Sequence, residues 1–231
     1  MFKIVVFSGG TGSVALQSGF SSVYGQNTYQ IDVIVNAYDN GKSTGSCRRI
    51  FDSKILGPSD VRKNQLLQFS LQYAKAMEDS SSIKARLYNL FEARLSAENP
   101  MAYYQCACTE LALHKDILNC TTYEYLLSLL NYFFFVDNRI AEESLRETVK
   151  CEQFKDFALS NVFYAACAAQ YGNSLGAAAK RMADILGIKH NVHLISDKNL
   201  FLKAETQSGQ IIEDEGDIVV WDNPDDKIAR A

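Results

Sequence analysis

The first sixty residues alternate between short apolar runs and polar stretches that contain glycine. Residues 2–8 form an apolar, β-branched run, and residues 31–35 form a second one. Apolar runs of this length are typical of strands that are buried on both faces of a parallel sheet. Residues 13–20, between them, have a helical pattern. The order strand, helix, strand predicts a β-α-β unit and a parallel sheet at this end of the chain.

The middle of the chain has helical periodicity. From residue 61 to about residue 187, apolar residues recur three or four positions apart, as in Leu66 and Phe69. This spacing is typical of amphipathic helices that bury one face. Residues 99–100, an Asn-Pro pair, and residues 119–122 are typical of breaks between helices. We therefore expect a set of long helices in this region.

The last part of the chain returns to a strand pattern. Residues 192–195 and 200–206 are predicted strands, and residues 208–209, Ser-Gly, are a turn signal after which residues 210–213 pair back. Residues 217–221 have the composition of one more strand. The carboxyl-terminal part therefore predicts a small β-hairpin beside the helical region.

Together these patterns predict an α/β fold with a Rossmann-like parallel sheet, a large helical insertion and a small C-terminal β-hairpin. We expect one domain over residues 1–231. Within it, residues 1–60 form the nucleotide-binding β-α-β part, residues 61–187 the helical insertion, and residues 188–231 the strand and hairpin region.

Composition and charge exclude several classes of protein. The 231 residues carry a net charge of −4 at pH 7, with 47% hydrophobic and 22% charged residues. These fractions are those of a globular protein. A mildly acidic chain lacks the basic footprint of a general nucleic-acid binder. No apolar run is long enough for a signal peptide or a membrane span, so we expect a cytoplasmic protein without nucleic-acid or membrane partners.

The six cysteines are expected to be free thiols in a cytoplasmic protein. Cys106, Cys108 and Cys120, with His114 nearby, raise the alternative of a zinc site. Their spacing fits no standard zinc motif, and the segment has a helical pattern. The sequence therefore favours helical core residues over metal ligands.

An aromatic run at residues 132–135, Tyr-Phe-Phe-Phe, covers a full helical turn. A helix that is buried all round would place the whole run in the core. The alternatives are a hydrophobic wall for a flat ligand or the interface of a homo-oligomer.

A cluster of small residues lies between the first predicted strand and the first predicted helix: Gly9, Gly10, Thr11 and Gly12. Small residues let the backbone approach a phosphate, and the helix amino terminus supplies free N–H donors. A dinucleotide site would also need an acidic residue at the end of the second strand, where Asn36 stands; Asp32 lies at its start. The cluster predicts phosphate or nucleotide binding rather than NAD binding, and the alternative is a tight turn without a ligand.

Residues 38–61 form a long polar segment, which predicts a loop, and long loops in compact domains are usually functional. Within it, residues 41–44, Gly-Lys-Ser-Thr, have the ending of a Walker A motif. The first glycine of that motif would be residue 36, which is Asn36, and the segment follows the second strand rather than the first. The sequence therefore argues against a P-loop kinase.

Four motifs follow one another in a fixed order. They are the glycine cluster, Asp-Asn-Gly-Lys-Ser-Thr-Gly at 39–45, Leu-Gly-Pro-Ser-Asp-Val-Arg-Lys-Asn at 56–64, and Ser-Asn at 160–161, where an apolar helix opens. The ordered set resembles the CofD-like family, as does the last stretch, 192–218. That family includes 2-phospho-L-lactate transferases and YvcK-type gluconeogenesis factors, which bind UDP-sugars.

The sequence departs from the family pattern at several positions. Ser8, Lys42 and Ser59 stand where glycines are usual, and Asn40 replaces one acid of an acidic pair. Family members normally continue with a further strand and a glycine- and serine-rich phosphate loop, which would lie beyond Ala231. The resemblance therefore implies a shortened homologue or a fragment, and we expect weak catalysis or none from this chain.

Two functions follow from the resemblance. One is a nucleotide- or nucleotide-sugar-binding regulator of carbon or cell-wall metabolism. The other is a transferase that moves a phospho-group from a nucleotide diphosphate donor to a hydroxyl acceptor and releases a nucleoside monophosphate. Such a transfer depends on positioned cations and hydrogen-bond donors. Release of the monophosphate that requires Mg²⁺ would distinguish the two.

The resemblance also assigns residues to the site. Asp39 and Asp60 are the carboxylates expected to act in catalysis and to hold Mg²⁺, which prefers one or two carboxylates together with phosphate and water. Lys42 and Arg62 could neutralise phosphate or be surface charges, Asn40 could be a turn residue, and Asn161 could bind a base or a phosphate or be a helix N-cap. The expected ligand-binding residues are Gly9, Gly10, Thr11, Gly12, Asn40, Ser43, Thr44, Arg62 and Asn161.

Overall fold

The computed structural model describes residues 2–8, 10–24, 29–38, 41–137, 139, 141–196, 198, 200, 203–213 and 215–230. Among the expected site residues, Gly9, Asp39 and Asn40 lie outside the described residues.

The strands of the described residues are β1 (Phe2–Ser8), β2 (Tyr29–Val35), β3 (Arg94–Ala97), β4 (Phe154–Ala158), β5 (Val192–Leu194), β6 (Ala204–Thr206), β7 (Ile211–Ile212) and β8 (Ile228–Arg230). The α-helices are α1 (Val14–Tyr24), α2 (Lys42–Ile50), α3 (Ser59–Gln72), α4 (Ala74–Met77), α5 (Ile83–Glu92), α6 (Pro100–Leu113), α7 (Cys120–Phe134), α8 (Glu147–Lys150), α9 (Leu159–Gln170), α10 (Leu175–Leu186) and α11 (Glu215–Val220). Two 3₁₀ turns lie at Gly10–Ser13 and Glu142–Ser144.

A parallel sheet of order β1-β2-β5 forms the amino-terminal part of the fold, which confirms the predicted α/β class. Val6 of β1 and Val33 and Val35 of β2 are buried on one face. On the opposite face, Val5 is 55% and Phe7 is 72% exposed, so the expectation that β1 is buried on both faces was wrong. The apolar run of β1 reflects one face packed on the core and one apolar face that the described chain leaves exposed.

The large insertion between β2 and β5 is mainly helical, as predicted. Asn99 and Asn119 begin two of its helices: their Oδ1 atoms accept hydrogen bonds from the amides of Ala102 and Thr122, both at 2.8 Å. Asparagine at the N-cap satisfies an amide that has no partner within the helix. The sequence missed the antiparallel pair β3 and β4 within this region, because each is short and pairs with a distant segment.

Aromatic side chains fill the centre of the helical region. The ring centroids of Tyr103 and Phe154 are 4.7 Å apart, those of Phe134 and Phe154 are 5.5 Å apart, and the Tyr103 hydroxyl donates to the Phe157 carbonyl at 3.1 Å. Phe133 and Phe134 are fully buried. The aromatic run at residues 132–135 therefore belongs mainly to the core of the helical region.

Two local predictions were wrong. Residues 38–61 are not a continuous loop, because helix α2 lies within them. Polar residues of α2 are interspersed with buried ones such as Cys47 and Ile50, which pack in the core. Residues 217–221 are not a strand but belong largely to α11. Short apolar runs do not distinguish strand from helix by pattern alone.

The carboxyl-terminal hairpin is observed. Strands β6 and β7 pair antiparallel, and β8 adds to the other side of β6. Gly209 has a φ of +87° in the turn between β6 and β7. That left-handed backbone favours glycine, which explains the Ser-Gly turn signal. Among the described residues, no helix has the length and apolar character that crossing a lipid bilayer would require.

One ion pair ties α2 to the segment that precedes β4. The Glu152 carboxylate accepts hydrogen bonds from Arg49 Nε at 2.6 Å, from Arg49 Nη2 at 2.8 Å and from the Ser46 hydroxyl at 2.5 Å. Burial alone would raise the pKa of Glu152, but the hydrogen bonds from Arg49 and Ser46 outweigh it and lower that pKa. The carboxylate form therefore stabilises the folded chain.

We expect Glu152→Gln to lower the free energy of unfolding by about 1 kcal/mol at pH 7, since Arg49 is half exposed and water screens the pair. A carboxyl with a lowered pKa contributes stability above its ordinary pKa and loses it as the pH falls through the folded value. Urea unfolding at pH 7 and pH 3 should show the difference between wild type and variant shrinking at the lower pH. Glu147→Gln, whose carboxylate is exposed beside Lys150, is the control with little effect. A difference that is independent of pH would contradict the assignment.

Candidate functional site

The candidate site lies at the carboxyl ends of the parallel strands. Ser8 ends β1 and Val35 ends β2, and the two residues are partners in the parallel register. The chain then turns through the 3₁₀ segment Gly10–Ser13 into α1. Ligands of open α/β sheets bind outside the carboxyl ends of the strands. The structure therefore places the glycine turn where such a ligand would lie.

Gly12 is exposed within this turn, and open space surrounds it. Apart from its chain neighbours, no described residue has an atom within 4 Å of a Cβ built on Gly12, and the φ of Gly12 lies outside the left-handed region. Neither backbone strain nor packing within the described chain therefore requires glycine here. The missing side chain leaves room next to the amides of the turn, as the approach of a phosphate would need.

Helix α2 begins beside this site with the residues that resemble a Walker A ending. Gly41 is extended and its carbonyl accepts from the amides of Thr44 and Gly45 at 3.1 and 3.2 Å. The first amides of a helix have no partner within the helix, and the helix dipole makes this end positive. The start of α2 at Lys42 therefore favours an anion.

Asn161 connects the first turns of α2, α3 and α9. It is fully buried, and its Nδ2 donates to the Ser43 hydroxyl at 3.1 Å and to the Ser59 hydroxyl at 3.0 Å. The hydroxyls of Thr44 and Ser59 lie 2.5 Å apart. The N-cap of α9 is Ala158, so the alternative that Asn161 is itself the cap was wrong.

The Oδ1 atom of Asn161 is buried and has no hydrogen-bond partner among the described residues. An unsatisfied buried acceptor costs about 1–3 kcal/mol, and such atoms in folded proteins call for an explanation. A helix amino terminus binds anions through its amides and its dipole. The hydroxyl cluster around Asn161 adds further donors to those of the three helix starts.

Asp60 is the expected metal-binding carboxylate that the structure describes. It is the second residue of α3, its side chain is 12% exposed, and Lys63 Nζ lies 3.6 Å from its Oδ1. No three His, Cys, Asp or Glu side chains form a metal-binding group in the described part of the chain, so Cys106, Cys108, Cys120 and His114 form no such group. A single carboxylate suits Mg²⁺ only where phosphate and water complete its coordination.

Arg62 lies deep in the protein at the end of α5. It is 1% exposed, its Nη1 lies 3.5 Å from the Phe91 carbonyl and 3.7 Å from Glu92 Oε1. Burial lowers the pKa of the Arg62 guanidinium, and Glu92 partly offsets this effect. The Ser160 hydroxyl donates to the same Phe91 carbonyl at 2.5 Å. These contacts hold α3, α5 and α9 together, and a contact of Arg62 with phosphate stays a prediction.

A cavity of about 650 Å³ opens beside Ser43, and no sequence motif predicted it. Its wall combines one face of α2 with the segment before and within β4, about a hundred positions away in the sequence. The lining residues include Ser43, Ser46, Arg49, Glu152, Gln153 and Lys155. Ser43 belongs both to this wall and to the Asn161 cluster, so the cavity and the cluster share one residue.

Cys47 lies behind the cluster and is fully buried, with its Sγ 3.7 Å from the Asn161 carbonyl. Burial raises the pKa of this thiol well above its ordinary value. Since the thiolate is the nucleophilic form, Cys47 is a packing residue and not a nucleophile.

Comparison with known proteins gives a family. The family model described as 2-phospho-L-lactate transferase CofD matches residues 4–230. No curated protein matches the sequence. A solved structure described as a member of the UPF0052 family, BH3568 from Bacillus halodurans, has a similar fold over 100% of this chain and 50% of its own, with a TM-score of 0.57 and 20% identity.

A second solved structure of BH3568 from Bacillus halodurans covers 94% of this chain and 47% of its own, with a TM-score of 0.54 and 20% identity. The chain thus spans about half the length of these solved chains. At this identity the likeness concerns the fold alone. The family model, in contrast, extends over nearly the whole sequence, and the chain belongs to the CofD family.

Proposed function

We propose that this chain binds the phosphates of a nucleotide or nucleotide sugar where the first turns of α2, α3 and α9 meet beside the glycine turn. The observation that carries the proposal is Asn161, a buried amide whose Nδ2 joins the hydroxyls of Ser43 and Ser59 and so brings together the first turns of α2, α3 and α9. The first turns of three helices lie within side-chain hydrogen-bond reach of one another, and helix amino termini favour anions. A di- or triphosphate is the common biological ligand of that kind.

In this proposal the amides of Gly10, Thr11 and Gly12 contact one phosphate, and the start of α2, with Ser43 and Thr44, contacts another. Asp60, together with Asp39, would hold Mg²⁺, which neutralises the phosphates and is coordinated largely by them and by water. The family resemblance supports this division of roles. A mildly acidic chain with free cysteines also fits a reducing, cytoplasmic setting.

A second candidate function is transfer of a phospho-group, favoured by the description of the family model, 2-phospho-L-lactate transferase CofD. The acceptor hydroxyl oxygen would form a bond to phosphorus, the bond to the bridging oxygen would break, and a nucleoside monophosphate would leave. Preorganised donors at the helix starts would stabilise the charge that develops. We place binding first, because Asn40 replaces one acid of the expected pair and leaves only Asp39.

A thermal-shift screen with GDP, GTP and UDP-glucose, each with and without Mg²⁺, tests the binding proposal. A ligand that binds only the folded state raises the melting temperature by mass action. A shift that grows with Mg²⁺ is the expected result. No shift with any of these compounds, at concentrations up to several millimolar, would contradict the proposal.

Gly12→Ala should weaken binding of the ligand found in that screen at least about tenfold, equivalent to roughly 1.4 kcal/mol. The added methyl group meets no atom of the described residues within 4 Å, so stability should not fall, but it fills space that the glycine leaves open at the turn. Gly19→Ala, at an equally open position of α1, is the matched control and should bind normally. Isothermal titration calorimetry of both variants measures the difference. Equal affinities would remove the glycine turn from the site.

Asn161→Asp should keep the fold and lose binding. The two serine hydroxyls can donate to the new carboxylate, and a negative charge at helix amino termini is favourable. The same charge repels phosphate, so we expect affinity to fall by about tenfold or more. Asn131→Asp, whose Oδ1 accepts from the Tyr104 hydroxyl at 2.7 Å, makes the same change in charge within α7. Calorimetry should show weaker binding for the first variant alone.

The two candidate functions are separated by product analysis. The purified chain is incubated with Mg²⁺, a nucleotide diphosphate donor and a hydroxyl-bearing acceptor, and the nucleoside monophosphate is measured by chromatography. We expect binding without repeated turnover. Many monophosphates released per chain, and none from Asn161→Asp, would establish the transferase instead.

A further inference from the structure

A continuous series of buried and partly buried side-chain hydrogen bonds runs from the glycine turn through α3 to the start of β5. Its amide-bearing members are Gln17, Asn64, Gln68 and Asn191, which we call the amide relay. Gln17 is 0% and Asn64 is 1% exposed. Three of these four residues lie outside the motifs that resemble the CofD-like family. The sequence alone therefore does not indicate that the four side chains are connected.

The near end of the relay holds the glycine turn. Ser13, the last residue of the 3₁₀ turn, shares a hydrogen bond with the hydroxyl of Ser8 at 2.8 Å. The Gln17 Nε2 group donates to Ser13 Oγ at 2.7 Å and to Asn64 Oδ1 at 3.0 Å. Both protons of one amide are therefore used, one on the turn and one on α3.

Asn64 links the turn to the first turn of α3. Its Oδ1 accepts from Gln17, and its Nδ2 donates to the Asp60 carbonyl at 2.8 Å. Asp60 follows Ser59, which bonds to Asn161. One side chain thus fixes the distance between the glycine turn and the cluster of helix starts.

The far end of the relay is held by the parallel sheet. Gln68 Nε2 donates to Gln17 Oε1 at 2.5 Å, and Asn191 Nδ2 donates to Gln68 Oε1 at 3.2 Å. Asn191 Nδ2 also donates to the Ile31 carbonyl of β2 at 2.7 Å. The orientation of each amide is therefore determined by the next, from β2 to the turn.

We propose that Gln17 and Asn64 are positioning residues that hold the glycine turn in register with the first turn of α3. Each has its donor and acceptor atoms in use inside the protein, where an unsatisfied amide is costly. Loss of Gln17 or Asn64 breaks the hydrogen bond between these two side chains and leaves the Ser8–Ser13 bond as a side-chain contact of the turn. The consequence for ligand binding rests on the proposed function, whereas the consequence for the turn itself does not.

The first test uses hydrogen exchange of the ligand-free protein. In Gln17→Met and Asn64→Leu, the amides of residues 10–13 should exchange about tenfold faster than in wild type, which reflects local opening. The matched control is Gln65→Met, which removes another fully buried amide of α3; its Nε2 donates to the Ala179 carbonyl at 2.8 Å, outside the relay. The control should lose stability without faster exchange at the turn.

Unchanged exchange at residues 10–13 in both relay variants, or the same increase in Gln65→Met, would overturn the proposal. If either relay variant fails to fold, Ser13→Ala provides the test, since it deletes the single hydroxyl that contacts Ser8, Gln17 and Asn64. Faster exchange confined to the turn is again the expected result.

The second test measures binding of GDP and UDP, each with Mg²⁺. Relay variants should bind about tenfold more weakly, and the effects of Gln17→Met and Asn64→Leu should not add in the double variant, because both act through one network. Gln65→Met should bind as wild type. If wild type binds neither nucleotide, the proposed function fails while the exchange experiment still decides the role of the relay.

Discussion

The side-chain amide of Asn161 is the contact on which the candidate site depends. Three helix starts of like polarity do not attract one another, because each carries a partial positive charge. Asn161 brings them together by donating one proton to Ser43 on α2 and one to Ser59 on α3. The interaction is neutral and adds no negative charge to that of Asp60 in the first turn of α3.

This arrangement buries polar groups, which is unfavourable for folding. Hydrogen bonds and an ion pair around α2 offset that unfavourable free energy. Arg48 is fully buried, and its guanidinium donates to the carbonyls of Tyr38 and Leu200 at 3.0 and 3.1 Å. It thereby fixes the chain after β2 to a segment near β6. The Glu152 and Arg49 pair fixes the other side of α2 to the approach to β4. Helix α2 is thus anchored along its length while its first turn faces the site.

The sequence predicted the local features of the fold well and the long-range ones poorly. The strand runs of β1 and β2, the helix breaks at residues 99–100 and 119–122 and the Ser-Gly turn each depend on residues that lie close together in the chain, so their patterns were informative. Strands β3 and β4, the relay from Gln17 to Asn191, and the cavity between α2 and β4 join residues far apart. No spacing in a single sequence reports such contacts. The exposure of Phe7 was missed for a similar reason, since an apolar run does not say what covers it.

The positions at which the sequence departs from the family pattern acquire a physical meaning in the structure. Ser8 and Ser59 stand where glycines are usual, and each uses its hydroxyl inside the protein: Ser8 bonds to Ser13 of the glycine turn, and Ser59 bonds to Asn161 and Thr44. A glycine at either position could make neither bond. The two serines therefore reinforce the turn and the helix starts that the candidate site requires, without placing a further charge there. At Gly12, in contrast, the family's glycine is present although no contact within the described chain requires it. A glycine without such a structural reason is expected where a ligand occupies the space next to the backbone.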